Sequence, residues 1–211
     1  THLGHSFPTR RSSDLKCSCG SGLKYKQCCL KKNNLTFNEI ECDDKMREIV
    51  KSTYNFIKEK NLQGGCHLTS AVMYILLSEA GFSDLVVKTG VAVNVDGPFD
   101  HSWLEYQGKK IDMAIMNTLQ DGFKFAPLFL DKLISTSEPM EYKYGIDRGL
   151  DAEAKFILSQ SLGDYILSGE SQMSVFVFED IAKRAGIVLT DTKETLRKYT
   201  DTYRVLERNE A

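Results

Sequence analysis

Two helices are predicted by the spacing of apolar residues in the first half of the chain. Between residues 43 and 60 apolar side chains recur three or four positions apart, which indicates an amphipathic helix that Asp43 or Asp44 caps. The next apolar run predicts a second helix over residues 66–80, ended by Gly81. Because this second helix is apolar almost all round, we expect it to be the buried central helix of the fold.

Beyond these helices the hydrophobic period changes to that of β-strands. The segments 85–95, 99–106 and 109–115 are rich in β-branched and aromatic residues. They are separated by Asp-Gly-Pro and Gln-Gly, two turn signals typical of connections between neighbouring strands. The pattern therefore predicts a three-stranded antiparallel meander that follows the buried helix.

The final part of the chain, residues 146–211, is predicted to form a helical C-terminal extension. Helical spacing recurs over residues 153–167, 174–186 and 193–208. The middle segment contains VFVF, which favours a strand and leaves open that this element begins as one. Together with the meander, these helices predict an α+β fold.

The composition of the 211 residues is that of an ordinary globular protein, with 42% hydrophobic and 27% charged residues. The formal net charge is −2, so the whole chain offers no electrostatic argument for binding nucleic acid or a membrane. No apolar stretch reaches the roughly 18 residues that a spanning helix needs. We therefore expect a cytoplasmic protein with neither a membrane partner nor sequence-specific DNA binding.

The first fifteen residues are set apart by their sequence. HSFPTRRSSDL, residues 5–15, reads as the translation of a common short-read sequencing adapter, and it has no hydrophobic period. We interpret residues 1–15 as a disordered sequencing artefact and exclude them from the fold, with a genuine disordered tail as the alternative. On this interpretation we expect the native start, with any targeting signal, to be lost.

Four of the six cysteines stand close together in KCSCGSGLKYKQCC, residues 16–29. Their spacing, C-x-C-x8-C-C, suits a tetrahedral site for a soft metal, for which zinc is the default. The segment has too few apolar residues to fold alone, so metal binding would supply its folding energy. Two disulfides are the alternative in an oxidising compartment, although the adjacent Cys28 and Cys29 are awkward disulfide partners.

CSCGSGLKYKQCC resembles the SEC-C motif, a small zinc knuckle found at the end of a translocation ATPase and on many bacterial proteins. The resemblance implies a structural zinc ion held by Cys17, Cys19, Cys28 and Cys29. We expect the knuckle to span residues 16–32 and a linker to follow at residues 33–42. Its five lysines favour docking onto an acidic partner, a protein or ribosomal RNA, but they would equally compensate four thiolates around Zn²⁺.

Cys66 stands apart from the cluster, in the stretch QGGCH at the start of the buried helix. A helix N-terminus favours a thiolate, because its unpaired amides and dipole are positive. We expect Gly64 and Gly65 to leave the approach open for a substrate carbonyl, with the same amides and the Gln63 side chain as candidate oxyanion donors. A single buried cysteine is also a common core residue, and this alternative stays open.

A nucleophilic thiol needs a base, and two histidines lie in this part of the chain. His67 follows Cys66 directly on the helix, where consecutive side chains diverge by roughly 100°, so we expect it to be a bystander. His101 lies on the second strand. If Gln-Gly forms a two-residue turn, Asp112 is a diagonal neighbour of His101 on the same face, and Asp100 points to the other face. A carboxylate in that place orients an imidazole, although a strand histidine packed beside tryptophan can also be purely structural.

GGCHLTSAVMYILLSEAGF and HSWLEYQGKKIDMA resemble the core of the transglutaminase-like branch of papain-fold cysteine enzymes, over about residues 61–116. That family places a cysteine at the front of a helix, a histidine on one strand and an aspartate on the next. The resemblance implies a catalytic domain, residues 43–145, in which Cys66, His101 and Asp112 perform thiol-dependent acyl transfer. The short spacing from His101 to Asp112 and the lack of a glutamine directly before the cysteine depart from the family pattern.

The sequence is compatible with two functions. The first is a bacterial cysteine peptidase or transglutaminase-like enzyme that hydrolyses, deamidates or cross-links amides of a protein or peptide substrate, docked to its partner by the zinc knuckle. The second is a zinc-binding adaptor whose papain-like domain binds a partner without turnover. A Cys66 sulfur close to the His101 ring in an open groove would favour the enzyme.

Overall fold

The computed structural model describes residues 22–28, 37–94, 97–119, 125–137, 139, 142–145, 149–168 and 173–208. The adapter-like residues 1–15 and the predicted zinc ligands Cys17, Cys19 and Cys29 lie outside these residues. The described residues form an α+β fold around a six-stranded sheet, and the α+β prediction is confirmed.

Helix α1, Asp44–Lys60, is the first predicted helix, and it begins where the sequence places it. The carboxylate of Asp43 accepts a hydrogen bond of 2.8 Å from the amide of Lys45 and so caps the first turn. Asn61 closes the helix in the left-handed conformation, with φ of 49°. The predicted linker is described from Phe37, which is buried in the core that α1 covers.

Helix α2, Cys66–Glu79, is the buried central helix that the sequence predicts. Most of its side chains are buried, and it packs against α1 and the sheet. Since each fully buried aliphatic side chain contributes about 1.5–3 kcal/mol, packing on several sides fixes this helix. Ala80 caps its C-terminus, and Gly81, with φ of 95°, turns the chain away.

The predicted meander is present as β1 Leu85–Asn94, β2 Gly97–Tyr106 and β3 Lys109–Asp112. Gln107 and Gly108 form a two-residue turn between β2 and β3, with φ of 51° and 75°. Tyr106 pairs with Lys109 in the antiparallel ladder. The predicted hairpin register is therefore confirmed.

The third strand ends earlier than the predicted segment 109–115. Asp112 is its last residue, and the chain continues as a 3-10 helix, Ala114–Asn117. The Asp112 carboxylate accepts a 3.1 Å hydrogen bond from the amide of Ile115, which favours the turn over continued pairing. As a result β3 pairs with β2 only over residues 104–106, which leaves this side of the first half of β2 open to α2.

The other strands of the sheet are two-residue segments: β4 Leu128–Phe129, β5 Lys132–Leu133 and β6 Val205–Leu206. The strand order is β5-β4-β3-β2-β1-β6. β6 runs parallel to β1, whereas the other neighbouring pairs are antiparallel. The sheet thus joins the middle of the chain, from Leu85, to its C-terminal part, at Val205–Leu206.

The C-terminal part contains four helices: α3 Ala152–Ser159, α4 Leu162–Leu167, α5 Met173–Arg184 and α6 Thr192–Arg197. The single helix predicted over residues 153–167 is wrong, because Ser161 interrupts it and caps α4 with a 3.0 Å bond from the amide of Asp164. VFVF lies within helix α5, where Val177, Phe178 and Ile181 face the core at helical spacing.

The helix predicted over residues 193–208 is also wrong in its second half. Helix α6 ends at Arg197, and the carbonyls of Tyr199 and Thr202 accept hydrogen bonds from the amides of Gly163 and Leu162 at the start of α4. These contacts hold the chain in a turn that directs β6 to the free edge of β1. The extension therefore includes a strand, because tertiary hydrogen bonds replace those of another helical turn.

One hydrophobic cluster joins α1 and α2 to the C-terminal helices. Leu162, Phe178 and Leu196 belong to the same cluster as Leu104 and Phe129 of the sheet. A second cluster, with Phe99, Trp103 and Tyr144, covers the opposite face and includes Cys28. Within the described residues, no helix is long and apolar enough to cross a membrane.

Candidate active site

The predicted triad residues come together where α2, β2 and β3 meet. His101 on β2 donates a hydrogen bond of 2.7 Å from Nε2 to Oδ2 of Asp112, and each side chain is only 1% exposed. The carboxylate is thus the diagonal cross-strand partner that the confirmed register provides. With Nε2 engaged, Nδ1 of His101 is the ring nitrogen left for the thiol of Cys66.

Asp112 is held by three donors. Besides His101, the hydroxyl of Tyr144 donates to Oδ2 at 2.7 Å, and the amide of Ile115 donates to Oδ1 at 3.1 Å. A buried carboxylate needs such donors, because burial without hydrogen bonds is costly. Burial, followed by the charge of Asp112, raises the pKa of Tyr144 well above its usual value, so the phenol keeps its proton and remains a donor.

Cys66 begins helix α2, with Gly65 as its N-cap, and is 7% exposed. Its thiol lies close enough to His101 and His67 for both imidazoles to influence its pKa. Burial is the largest single influence and opposes ionisation. The positive charges and hydrogen bonds of the two imidazoles outweigh it, so the pKa of the Cys66 thiol lies well below its usual value.

The pKa of His101 is shifted in the opposite direction to that of Cys66. Burial is again the largest single influence and favours the neutral ring, but the charges of Asp112 and Cys66 and their hydrogen bonds raise the pKa of His101 to about 10. These opposite shifts favour a thiolate–imidazolium pair over a neutral thiol beside a neutral imidazole. The thiolate is the nucleophilic form of cysteine.

His67 lines the cavity beside Cys66, although its position on the helix predicts a side chain directed away from the thiol. Its Nδ1 shares a hydrogen bond of 2.7 Å with Oγ of Ser102, which in turn lies 2.5 Å from Oγ1 of Thr89. Consecutive helix residues do diverge, but α2 approaches the side of β2 that β3 leaves open. Successive residues of a strand point to opposite faces. Cys66 thus reaches His101 while His67 reaches Ser102.

The two glycines before Cys66 differ in what surrounds them. Gly64 has φ of 63° and lines the cavity in front of Cys66, where a Cβ on it would lie 2.7 Å from the side chain of Leu119. A Cβ on Gly65 would lie 2.6 Å from the side chain of Leu62. The predicted open approach is therefore found at Gly64, whereas Leu62 fills the space beside Gly65.

Asn117 fixes the loop that carries these glycines. Its Nδ2 donates to the carbonyl of Leu62 at 2.7 Å, and its own carbonyl accepts from the amide of Gly64 at 3.0 Å. The amide of Gly64 is thus used within the protein. Gln63 is exposed and does not line the cavity, so its role as an oxyanion donor stays a prediction.

A cavity of about 130 Å³ lies in front of Cys66. Both histidines line it, and Leu119 contributes a rim side chain that is 71% exposed. Three carboxylates also line the cavity, those of Asp100, Asp151 and Glu153. Asp100 faces away from Asp112 and accepts a 2.8 Å hydrogen bond from the amide of Asp151. The thiolate therefore faces a solvent-connected cavity with an acidic rim.

Arg204, next to strand β6, reaches the site from the end of the chain. It is 5% exposed, and its guanidinium donates to the carbonyl of His67 at 3.0 Å and lies 4.4 Å from the ring centre of Tyr165. Burial lowers its pKa to about 10, and the side chain remains cationic at neutral pH. Arg204 thus adds positive charge beside the first turn of α2 and fixes its backbone.

Of the predicted zinc ligands, only Cys28 is among the described residues, where it is buried in the cluster around Trp103. Within these residues no group of three or more histidine, cysteine or acidic side chains is arranged to hold a metal. The zinc site stays a prediction from the cysteine spacing.

Sequence reasoning missed Tyr144, Ser102 and Arg204, and dismissed His67. His67 directly follows Cys66, and Ser102 directly follows His101. This adjacency was a local signal from which both residues could have been predicted. Nothing near Tyr144 or Arg204 in the sequence indicates their contacts, which cross 32 and 137 residues.

Comparison with known proteins found no matching family model, no matching curated protein and no matching solved structure. The function is therefore inferred from the chemistry of the site itself.

Proposed function

We propose that this protein is a thiol-dependent acyl-transfer enzyme with Cys66 as nucleophile, His101 as its proton partner and Asp112 as the residue that orients the imidazole. The observation that carries the proposal is the Cys66 thiol at a helix N-terminus, with a lowered pKa, beside a His101 ring that Asp112 holds at 2.7 Å. This arrangement has the three parts that nucleophilic catalysis by cysteine requires: an activated thiol, a proton partner and an orienting acid.

In the first half-reaction the Cys66 thiolate attacks a carbonyl carbon of the substrate in the cavity. A carbon–sulfur bond forms, and the carbonyl oxygen becomes an oxyanion. The proton on Nδ1 of His101 passes to the leaving amine as the carbon–nitrogen bond breaks. The products are an acyl-thioester on Cys66, a free amine and a neutral His101.

In the second half-reaction water or an amine attacks the thioester. The carbon–sulfur bond breaks, the thiolate is released, and the proton of the acceptor passes to an imidazole of the site. Water gives hydrolysis or deamidation, and an amine gives transamidation. Asp112 keeps the His101 ring aligned through both steps, because Tyr144 and Ile115 fix its carboxylate.

The backbone amides at the start of α2 are the candidate oxyanion donors. The first four amides of a helix have no partner in a preceding turn, and their dipoles point toward the cysteine end. The amide of Cys66 belongs to this group. Gln63, whose side chain is exposed, would have to turn toward the cavity to contribute.

The papain-like and transglutaminase-like assignment is part of this proposal, as is a protein or peptide substrate. Support comes from the chain order of nucleophile, histidine and aspartate on a buried helix and two antiparallel strands. The SEC-C-like segment, with zinc on Cys17, Cys19, Cys28 and Cys29, would dock the enzyme onto an acidic protein or ribosomal partner. Zinc would act there as a structural ion only.

Alkylation by iodoacetamide tests the nucleophile. Wild-type protein should be modified at Cys66 with an apparent pKa well below that of a free thiol, as judged by peptide mass spectrometry between pH 5 and 9. His101→Ala should slow the modification at pH 6 by about tenfold or more, because the Cys66 thiol then lacks the positive charge of the His101 imidazole. Cys42, which is half-buried and has a pKa raised by burial, is the internal control.

If Cys66 reacts at the same rate in wild type and His101→Ala, the proposed enzyme is refuted. The protein would then be an adaptor with a papain-like domain. Zinc is tested separately by native mass spectrometry. One bound zinc ion per chain is expected, and its loss in Cys28→Ser combined with Cys29→Ser would support the ligand set.

A further inference from the structure

His67 is the second imidazole of the site, and its surroundings differ from those of His101. Its partner is a pair of buried strand hydroxyls, Ser102 at 2.7 Å and then Thr89, rather than a carboxylate. A hydroxyl can donate or accept a hydrogen bond, so it can support the ring in either protonation state. Because Nδ1 is bound to Ser102, the Nε2 side of His67 is the one available to Cys66 and the cavity.

His101 has no comparable access to an incoming acceptor. It is 1% exposed, and its ring lies between Phe99 and Trp103, with centroid distances of 5.5 and 6.5 Å. One ring nitrogen is bound to Asp112, and the other is directed to Cys66. Both imidazoles line the cavity, but His67 is only partly buried.

Several charged side chains lie around the cavity that His67 lines. Asp100 from β2 and Asp151 and Glu153 from the start of α3 line the same cavity. The Cys66 sulfur adds a further negative charge once the acyl group has left it as a thiolate. Arg204, the cation on the other side, binds the backbone carbonyl of His67 rather than its ring.

We propose that His67 is a second catalytic base, which takes the proton of the acyl acceptor during breakdown of the thioester, while His101 serves the thiol and the leaving amine. This division of roles rests on the proposed acyl-transfer function. Ser102 is then a positioning residue that holds the His67 ring toward the cavity.

The acceptor, water or an amine, forms a bond to the acyl carbon, and its proton passes to Nε2 of His67. The carbon–sulfur bond breaks, and its electron pair leaves with the Cys66 thiolate. The proton then moves from His67 across the adjacent sulfur to His101, which restores the thiolate–imidazolium pair and leaves His67 neutral.

Decay of a preformed acetyl-enzyme separates the two half-reactions. The protein is acetylated with p-nitrophenyl acetate, the release of p-nitrophenolate gives the acylation rate, and excess reagent is removed by rapid gel filtration. Intact-mass spectrometry then follows loss of the acetyl group at Cys66. His67→Gln should lose the acetyl group roughly 10–100-fold more slowly than wild type. Its acetylation should slow by a clearly smaller factor, which comes from loss of the His67 influence on the thiol. Ser102→Ala should slow decay by a smaller factor.

The control variant is Lys60→Gln, which changes an exposed side chain at the end of α1. It should match wild type in the rates of acetylation and of acetyl loss. His67→Asn is a second variant in case glutamine disturbs folding, which thermal unfolding detects. Equal decay in wild type and both His67 variants overturns the role of His67 alone. A decay rate that falls by no more than the acetylation rate also overturns it, because His67 would then act through the thiol alone. If the wild-type protein is not acetylated at Cys66, the acyl-transfer function itself fails.

Discussion

Asp112→Asn removes the charge that His101 faces while it keeps the size of the side chain. The oxygen of asparagine can still accept from the amide of Ile115, but its NH₂ group can accept from neither His101 nor Tyr144. The variant therefore leaves the buried imidazole without its carboxylate partner. We expect a loss of stability whose size depends on pH.

The size of this loss of stability follows from the raised pKa of His101. Its pKa rises from an ordinary value of 6.5 to about 10, and one pKa unit corresponds to ~1.4 kcal/mol, so the charged ring is favoured by at most roughly 5 kcal/mol. Cys66 supplies part of this preference. We therefore expect Asp112→Asn to lower the free energy of unfolding by about 3 kcal/mol at pH 6, near the lower end of the cost of breaking a buried pair.

The direction in which the stability changes with pH is fixed, because the pKa of His101 is higher in the folded protein than in the unfolded protein. Below pH 6.5 the ring is protonated in both folded and unfolded protein, and the full stabilisation is present. As the pH rises toward 10, the folded ring releases its proton and the stabilisation disappears. The difference between wild type and variant should therefore be largest near pH 6 and shrink to about 1 kcal/mol or less near pH 9.5.

Urea unfolding at these two pH values measures the difference, with fluorescence of Trp103, the single tryptophan, as the signal. The same comparison in the Cys66→Ser background removes titration of the thiol and isolates the carboxylate. Asp201→Asn, at an exposed aspartate, is the control and should change stability by less than about 0.5 kcal/mol. Equal losses at both pH values, or a loss that grows with pH, would refute the charge pairing.

Three further changes test other parts of the structure. Tyr144→Phe removes one of the three donors to Asp112 and should lower the free energy of unfolding by about 1–2 kcal/mol in urea titrations. Gly163→Ala places a methyl group against the backbone carbonyl of Leu196 and should cost more than about 2 kcal/mol, whereas Gly149→Ala, with no atom within 4 Å of the new Cβ, should cost less than about 0.5 kcal/mol. Arg204→Met removes positive charge near Cys66 and should raise the pKa of its thiol, seen as an upward shift of the iodoacetamide pH profile, with a smaller shift in Arg204→Lys.

Elements that depend on short sequence separations were predictable. The capping aspartate, the helical spacing and the Gln-Gly turn act between neighbouring residues, and they predicted α1, α2 and the register of β2 with β3. The parity of that hairpin also placed Asp112 beside His101. The C-terminal part was less predictable, because its helical pattern could not indicate that α4 binds the chain after α6.

The limits of local reasoning are clearest at His67. Its divergence from Cys66 on the helix was a correct geometric premise, but the conclusion needed the position of β2 relative to α2. Since β3 stops at Asp112, the helix reaches the open side of β2 and contacts residues of both its faces. A sequence pattern predicts the face of a strand, but it does not state which neighbouring strand is missing.

The sequence by itself determined the identity and order of Cys66, His101 and Asp112, because a helix start and a two-residue hairpin fix them through local geometry. Only the tertiary structure decided that Tyr144 and Arg204 hold Asp112 and the first turn of α2, across 32 and 137 residues. It also decided that Val205–Leu206 form a strand, because a free sheet edge offers backbone hydrogen bonds that no local pattern encodes. Contacts of that range arise from the packed core, in which the position of every element depends on all the others.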